Sequence, residues 1–207
     1  KAIIVSIKGL KLSSREKLLL SNENPWGLIL FRRNIKSLNQ IKLLIKNIKK
    51  LTNDKNFPIL IDEEGSTVSR LRNIINHGVS ADYFGNLYLV NKNVSIKIYK
   101  KYLDSLCKNL KNIGVNINTI PVLDVLRKNT SKVIGKRSFS NKKEIVKKLG
   151  EITVNHCHVN KIVSVIKHIP GHGCATSDSH YKLPTVNLSY KELNTKDFFP
   201  FKFNSAK

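Results

Sequence analysis

The chain has 207 residues, 41% of them apolar and 25% charged, which is ordinary for a soluble globular protein and leaves room for a sizeable core in one domain. No apolar run approaches the roughly 18 residues needed to span a membrane, and three cysteines without a CxxC spacing argue against a disulfide framework. The formal net charge of +23 would favour polyanions. However, the lysines are scattered among many Ile and Asn residues, without a recognition motif, an aromatic-interleaved basic stripe or a zinc-finger spacing, so the charge is read as compositional and no nucleic-acid partner is expected.

Along the chain, short apolar runs alternate with amphipathic helices. Ala2–Ile7 reads as a first strand; it is too short for a signal-peptide core and is followed by charge, so the chain is expected in the cytoplasm. Ser13 with Glu16 forms a capping box ahead of a first helix. Gly27–Phe31 follows as a strand, and Ser37 with Gln40 repeats the capping device. The second helix places Leu38, Ile41, Leu44, Ile45, Ile48 and Leu51 on one face.

A third strand is expected at Pro58–Ile61. Beyond it, a long helix carries Tyr99, Tyr102, Leu103, Leu106, Leu110 and Ile113 and stops at Gly114, a natural residue just past a helix end. Ile117–Val122 is the fourth apolar run. A helix from about Lys142 follows, with Ile145, Leu149 and Ile152 facing inward, and Ile162–Ile166 is the fifth run. Ser189 with Glu192 opens a last helix.

Runs apolar at nearly every position suit parallel strands buried on both faces, and their alternation with helices predicts an α/β fold with a parallel sheet. Five such units would be part of an eight-unit barrel, since complete barrels need about 250 residues. A doubly wound open sheet ranks second, because no GxGxxG follows any strand.

In such folds the working residues collect at the C-terminal ends of the strands. The third run ends in Asp62-Glu63-Glu64-Gly65, the fourth leads into Pro121-Val122-Leu123-Asp124, and the fifth ends in Lys167-His168 before Pro170-Gly171-His172-Gly173 and Asp178-Ser179-His180. In an extended segment Asp178 and His180 would point the same way. The carboxylate would then orient the imidazole for proton transfer near neutral pH. Taken alone, the triplet is better explained as a loop histidine beside an unrelated acid.

Two other chemistries fit poorly. His156-Cys157-His158, with His172 and Cys174, has the side chains of a zinc site. Three consecutive helical positions do not converge on one ion, however, and His156 falls on the apolar face as a core residue. Ser179 is no hydrolase nucleophile, because the GxSxG elbow is missing.

Gly27-Leu28-Ile29-Leu30-Phe31-Arg32-Arg33-Asn34, Ile61-Asp62-Glu63-Glu64-Gly65 with Val68 and Arg70-Leu71, and Asn116 to Val125 occur in that order. Gly135-Lys136-Arg137-Ser138-Phe139 follows, and then Lys167-His168-Ile169-Pro170-Gly171-His172-Gly173 with Asp178-Ser179-His180 and Leu183-Pro184. Together they resemble the motif series of the bacterial β-N-acetylhexosaminidases of glycoside hydrolase family 3. The resemblance implies a TIM-type (β/α)8 barrel of which residues 1–207 form a single N-terminal portion, about the first five βα units.

It further implies retaining hydrolysis of terminal β-linked N-acetylglucosamine from muropeptides in cell-wall recycling. The partner would be that carbohydrate, with neither nucleic acid nor membrane involved. Asp62, Arg70, Arg137, Lys167 and His168 would hold the sugar, and His180 would be the acid/base with Asp178 as its orienting partner. No metal or cofactor is implied.

Two departures stand out. Ser66 replaces the family's second glycine and would strain the loop that aims Asp62 if the position needs a positive φ. The family's nucleophile, an Asp in an "SDD" motif after the seventh strand, has no counterpart in this sequence, so an inactive remnant that binds sugar weakly is the alternative expectation.

Overall fold

The computed structural model describes residues 1–76, 78–169, 171–178 and 181–202. Five parallel strands form one sheet: β1 (Ile4–Val5), β2 (Gly27–Leu30), β3 (Ile59–Ile61), β4 (Ile117–Asn118) and β5 (Val163–Ser164). Six helices accompany them among the described residues: α1 (Ser14–Glu23), α2 (Leu38–Leu51), α3 (Ala81–Val90), α4 (Lys92–Ile113), α5 (Lys143–Val159) and α6 (Tyr190–Thr195).

The spatial order of the strands is their chain order, every neighbour parallel. A doubly wound sheet reverses direction at a switch point, whereas a barrel adds each strand beside the last. The sequential order therefore selects the barrel architecture and removes the open-sheet alternative. Every predicted strand is present, although shorter than its apolar run. The interior strands β2, β3 and β4 meet the expectation of near-complete burial on both faces. β1 and β5 have one neighbour each, and Ile4 and Val163 are exposed.

The core lies between the sheet and the inner faces of α2, α4 and α5. Ile41, Leu44, Ile45 and Ile48 of α2 are buried, as are Leu103, Leu106, Leu110 and Ile113 of α4 and Ile145, Leu149 and Ile152 of α5, against Leu28, Leu30, Ile59 and Ile61 of the strands. Burying each such side chain fully contributes about 1.5–3 kcal/mol, which is why the apolar face outweighs helix propensity here.

The helix ends follow local chemistry. Ser13 and Glu16 cap α1 reciprocally, and Ser189 and Glu192 do the same for α6. At α2 the device is only half formed. Ser37 accepts the Gln40 N–H, but the Gln40 side chain accepts the N–H of Lys36 and donates to the carbonyls of Leu10 and Asn34. Gly114 ends α4 at a φ of 92°.

Helix α3 was not legible in sequence. It is short, its Ser80 donates to Asp82 instead of capping, and Asn91 both ends it and caps α4 through the Val94 N–H. Its Phe84 packs with Tyr99 and Tyr102 at ring separations of 4.5 and 5.1 Å, and Tyr99 packs in turn against Phe139 at 5.6 Å. Gly85 lies so close to the chain after Arg137 that an added Cβ would stand 1.6 Å from the Phe139 carbonyl oxygen.

His156 is not a core residue. It is half-buried, and its Nε2 meets Asp104 Oδ1 at 2.7 Å, joining α5 to α4. The amphipathic pattern located the face correctly, but a polar partner on the neighbouring helix draws the imidazole to its rim. No helix among the described residues is long and apolar enough to cross a membrane.

The contact at Gly85 yields the first expectation. Gly85→Ala forces α3 away from the Phe139 segment and should cost about 3 kcal/mol, read as a lower urea midpoint, as overpacking does in a tight core. An unchanged midpoint would mean that α3 is not held against this segment in solution.

Candidate active site

The ends of β3, β4 and β5 stand side by side, and pairing continues past the strands themselves. Val122 bridges to Lys167, and the Leu123 N–H donates to the Lys167 carbonyl at 2.7 Å. This places the residues after β3 (Asp62 to Glu64), β4 (Thr119 to Asp124) and β5 (Lys167, His168) around one opening. Asp62, Glu64, Arg70, Arg137, Lys167, His168 and His172 help line a cleft of about 500 Å³ there.

Asp62 has the richest environment. Its Oδ2 accepts from Arg70 Nη2 at 2.8 Å, while Oδ1 accepts from the Thr119 hydroxyl and faces Lys167 Nζ at 3.3 Å. Lys167 also donates to Thr119 Oγ1 at 2.8 Å, so the threonine relays between ammonium and carboxylate. Burial by itself would raise the Asp62 pKa, but Lys167, Thr119 and Arg70 outweigh it and hold the carboxyl down at about 2.

Glu64 faces the same cation from the other side, 2.6 Å from Lys167 Nζ, and binds Arg137 in a two-point fork at 2.8 and 2.9 Å. Burial disfavours the Arg137 charge, yet the Glu64 carboxylate overcomes this and raises its pKa. Arg137 sits on a single 3-10 turn, Gly135–Arg137, held at one side by α3 through Gly85 and Phe139.

His168 continues the network. Its Nδ1 lies 2.7 Å from Asp124 Oδ2 and its Nε2 lies 3.3 Å from Arg137 Nη2. A carboxylate only accepts and a guanidinium only donates, so these partners assign the proton to Nδ1. The other Asp124 oxygen accepts the backbone N–H of His172 at 2.6 Å.

Glu63, between the two cleft carboxylates in sequence, is buried and turned inward. Its Oε2 accepts the N–H groups of Arg70 and Leu71 at 2.8 and 2.9 Å, and its backbone exchanges two bonds with the Asn118 amide. This carboxylate shapes the loop that aims Arg70.

The positive φ in that loop belongs to Gly65, at 136°, where an added Cβ would meet the Val79 carbonyl at 2.5 Å. Ser66 has no positive φ, and its N–H donates to the Val79 carbonyl at 2.8 Å. The strain expected from Ser66 is therefore absent.

All five residues expected to hold sugar line the cleft. Asp178 is half-buried and opens a turn in which the Tyr181 and Lys182 N–H groups donate to its carbonyl, while His180 lies outside the described residues. Sequence reasoning did not assign Thr119, Glu64 or Asp124 to the site. The last two were visible as polar residues at strand ends; Thr119 carried no signal. Among the described residues, no group of three or more His, Cys, Asp or Glu side chains is arranged to hold a metal.

The lowered pKa of Asp62 links to stability. The group favours folding above the ordinary carboxylate range, and its contribution is lost as pH falls from about 4 to about 2. In urea unfolding, Asp62→Asn should be less stable than the parent by about 2 kcal/mol at pH 7, a gap that narrows sharply by pH 2.5. A gap that stays constant with pH would mean that the ion network does not hold Asp62 ionised.

Residues 3–204 match the family model for the glycosyl hydrolase family 3 N-terminal domain. The chain is 30% identical over 199 residues to the β-hexosaminidase of Hydrogenovibrio crunogenus, covering 96% of this chain and 55% of that protein. It is 32% identical over 202 residues to that of Psychromonas ingrahamii, covering 96% and 58%. Among solved structures it resembles NagZ from Neisseria gonorrhoeae in complex with N-trifluoroacetyl-D-glucosamine, with a TM-score of 0.87 and 31% identity over 96% of this chain and 58% of that one. The chain thus spans somewhat more than half the length of these relatives. With the motif series, the sequential parallel sheet and this match running nearly from end to end, the chain belongs to glycoside hydrolase family 3, to its N-terminal domain.

Proposed function

We propose that the chain, as the N-terminal portion of a family 3 catalytic barrel, serves a β-N-acetylhexosaminidase that releases terminal β-linked N-acetylglucosamine from muropeptides during cell-wall recycling in the cytoplasm. The observation that carries this reading is the charge balance of the cleft. Asp62 and Glu64 face Arg70, Arg137 and Lys167 in the cleft, and Asp124, buried behind it against His168, brings the local total to three carboxylates and three cations despite the +23 of the whole chain. A polyanion would be drawn to an unbalanced basic surface. Alternating fixed donors and acceptors with no net charge suit a neutral polyol, whose hydroxyls both donate and accept.

In this reading Asp62, Arg70, Arg137, Lys167 and His168 hold the sugar. The His180 imidazolium gives its proton to the departing glycosidic oxygen, and as neutral imidazole it later takes one from water, while Asp178 stabilises the cationic form. This replaces the acid/base member of the usual carboxylate pair. Asp62 is a poor nucleophile, since three donors and two nearby cations saturate its lone pairs and depress its basicity. The covalent step is assigned, by the family resemblance, to the aspartate after the seventh strand.

A second reading has its own support. Each described carboxylate lining the cleft is tied to a cation, and Asp124 behind it is tied to an imidazole and an amide. None is free to attack an anomeric carbon, which favours a sugar-binding chain without hydrolysis.

The p-nitrophenyl β-N-acetylglucosaminide assay separates the two. The proposed enzyme releases p-nitrophenol, and His180→Ala lowers that rate by about 100-fold or more while N-acetylglucosamine still binds. Binding without release supports the second reading. Release that His180→Ala leaves intact would overturn the assigned acid/base.

A further inference from the structure

Asp124 belongs to neither the sugar-holding set nor the acid/base pair, yet it touches both halves of the site. Its side chain is fully buried, and its oxygens serve different masters: Oδ2 faces the His168 ring at 2.7 Å, and Oδ1 accepts the His172 backbone N–H at 2.6 Å. His172 begins the stretch that leads, six residues on, to Asp178 and then to His180.

That stretch is stitched to the chain after β4 over several residues. Thr130 Oγ1 donates to the Gly173 carbonyl, and the Ser131 N–H donates to the Ala175 carbonyl at 3.0 Å. Gly173 lies flush against Val125, where an added Cβ would stand 2.1 Å from the carbonyl oxygen. Asp124 is the member of this seam that hydrogen-bonds a sugar-holding side chain, and the His172 ring also packs edge-on against His168 at 6.1 Å.

We propose that Asp124 is a positioning residue that couples the sugar-holding imidazole of His168 to the segment carrying Asp178 and His180. This rests on the sugar-binding reading above. A hydroxyl engaging the His168 ring fixes its orientation; the ring fixes the Asp124 carboxylate, and the carboxylate fixes the His172 amide. Coupling of this kind is reciprocal, so a loosened segment weakens sugar binding as well.

Asn is the informative replacement because it keeps the shape and loses one acceptor. With its oxygen toward His172, its NH2 confronts the Nδ1–H of His168, and the ring must shift its proton to Nε2, against the donors of Arg137. With the amide turned the other way, the His172 N–H loses its acceptor. Either orientation breaks one bond directly, and the coupling carries the effect to the other side.

Two readouts on the whole chain test this: calorimetric binding of N-acetylglucosamine, and trypsin cleavage after the exposed Lys182, followed by mass spectrometry. In the parent, sugar should slow cleavage at Lys182. Asp124→Asn should weaken binding and speed that cleavage, each by about tenfold, and abolish protection by sugar.

Thr130→Val removes a hydroxyl bond from the far side of the seam without touching Asp124 or His168. It should speed cleavage and weaken sugar binding by about threefold, and it decides the matter if Asp124→Asn does not fold. Faster cleavage in Thr130→Val with unaltered sugar affinity would overturn the coupling, as would an Asp124→Asn chain that loses sugar affinity while Lys182 is cut at the parent rate. If the parent binds no N-acetylglucosamine, the sugar-site reading fails. Cleavage in Asp124→Asn then still shows whether the carboxylate holds the segment, and a parent-like rate overturns that too.

Discussion

The site depends on the ammonium of Lys167. It stands within reach of two carboxylates and a hydroxyl drawn from the ends of β3 and β4, and it is itself delivered by the end of β5. Two carboxylates brought this close in a partly buried cleft would repel each other and raise each other's pKa. The cation between them turns that repulsion into a bracket, and the Thr119 hydroxyl extends the bracket where the ammonium is more distant. Arg70 and Arg137 then complete the outer side of each acid. Removing one partner of such a network leaves a buried charge uncompensated, which makes the arrangement rigid and specific more than it makes the protein stable.

That bracket exists only because three strands lie in register. Leu60 pairs with Ile117 and Ile117 with Val163, so the residues that follow emerge at one level. The helices contribute at one remove. α3 holds the chain after Arg137 through the bare Cα of Gly85, and α4 supplies Tyr99 and Tyr102 beneath it. A barrel site is often described by its loops, but these loops start from fixed strand ends and carry their own backbone ties.

The parallel sheet and the strand-end residues Asp62, Lys167 and His168 were legible because each leaves a local trace, whereas Arg70, Arg137 and the sugar-holding role of all five came only with the family resemblance. Apolar runs of four to six residues mark strands, and charged residues directly after them have no structural reason to be there unless they work. What escaped notice has a common physical character. The partner of Thr119 and the specific partners of Asp124 lie more than forty residues away in sequence, and His156 left its apolar face for an aspartate on another helix. α3 lacks a side-chain cap of its own and shares Asn91 with the next helix. Exposure of the edge strands follows from a partial barrel with two uncovered sheet edges, although an apolar run has the same pattern whether one face or both are covered. Period and capping are read along the chain; pairing across the fold is not.

The contrast between the whole chain and its cleft also bears on how charge is read from sequence. A net charge of +23 invites a polyanion, but net charge reports the average surface, while recognition is set by the few groups a ligand touches. Here Asp62 and Glu64 meet Arg70, Arg137 and Lys167, the buried Asp124 behind them completes the balance, and most of this formal charge is spent within hydrogen-bonding distance. What remains for a ligand is a set of oriented N–H groups and lone pairs with little net field. Such a surface discriminates by the positions of hydroxyls, because a misplaced hydroxyl leaves a partly buried donor or acceptor without a partner, at a cost of about 1–3 kcal/mol. Specificity of that kind needs side chains that do not relax around the wrong ligand, which the mutual ion pairs of the cleft supply before any ligand arrives.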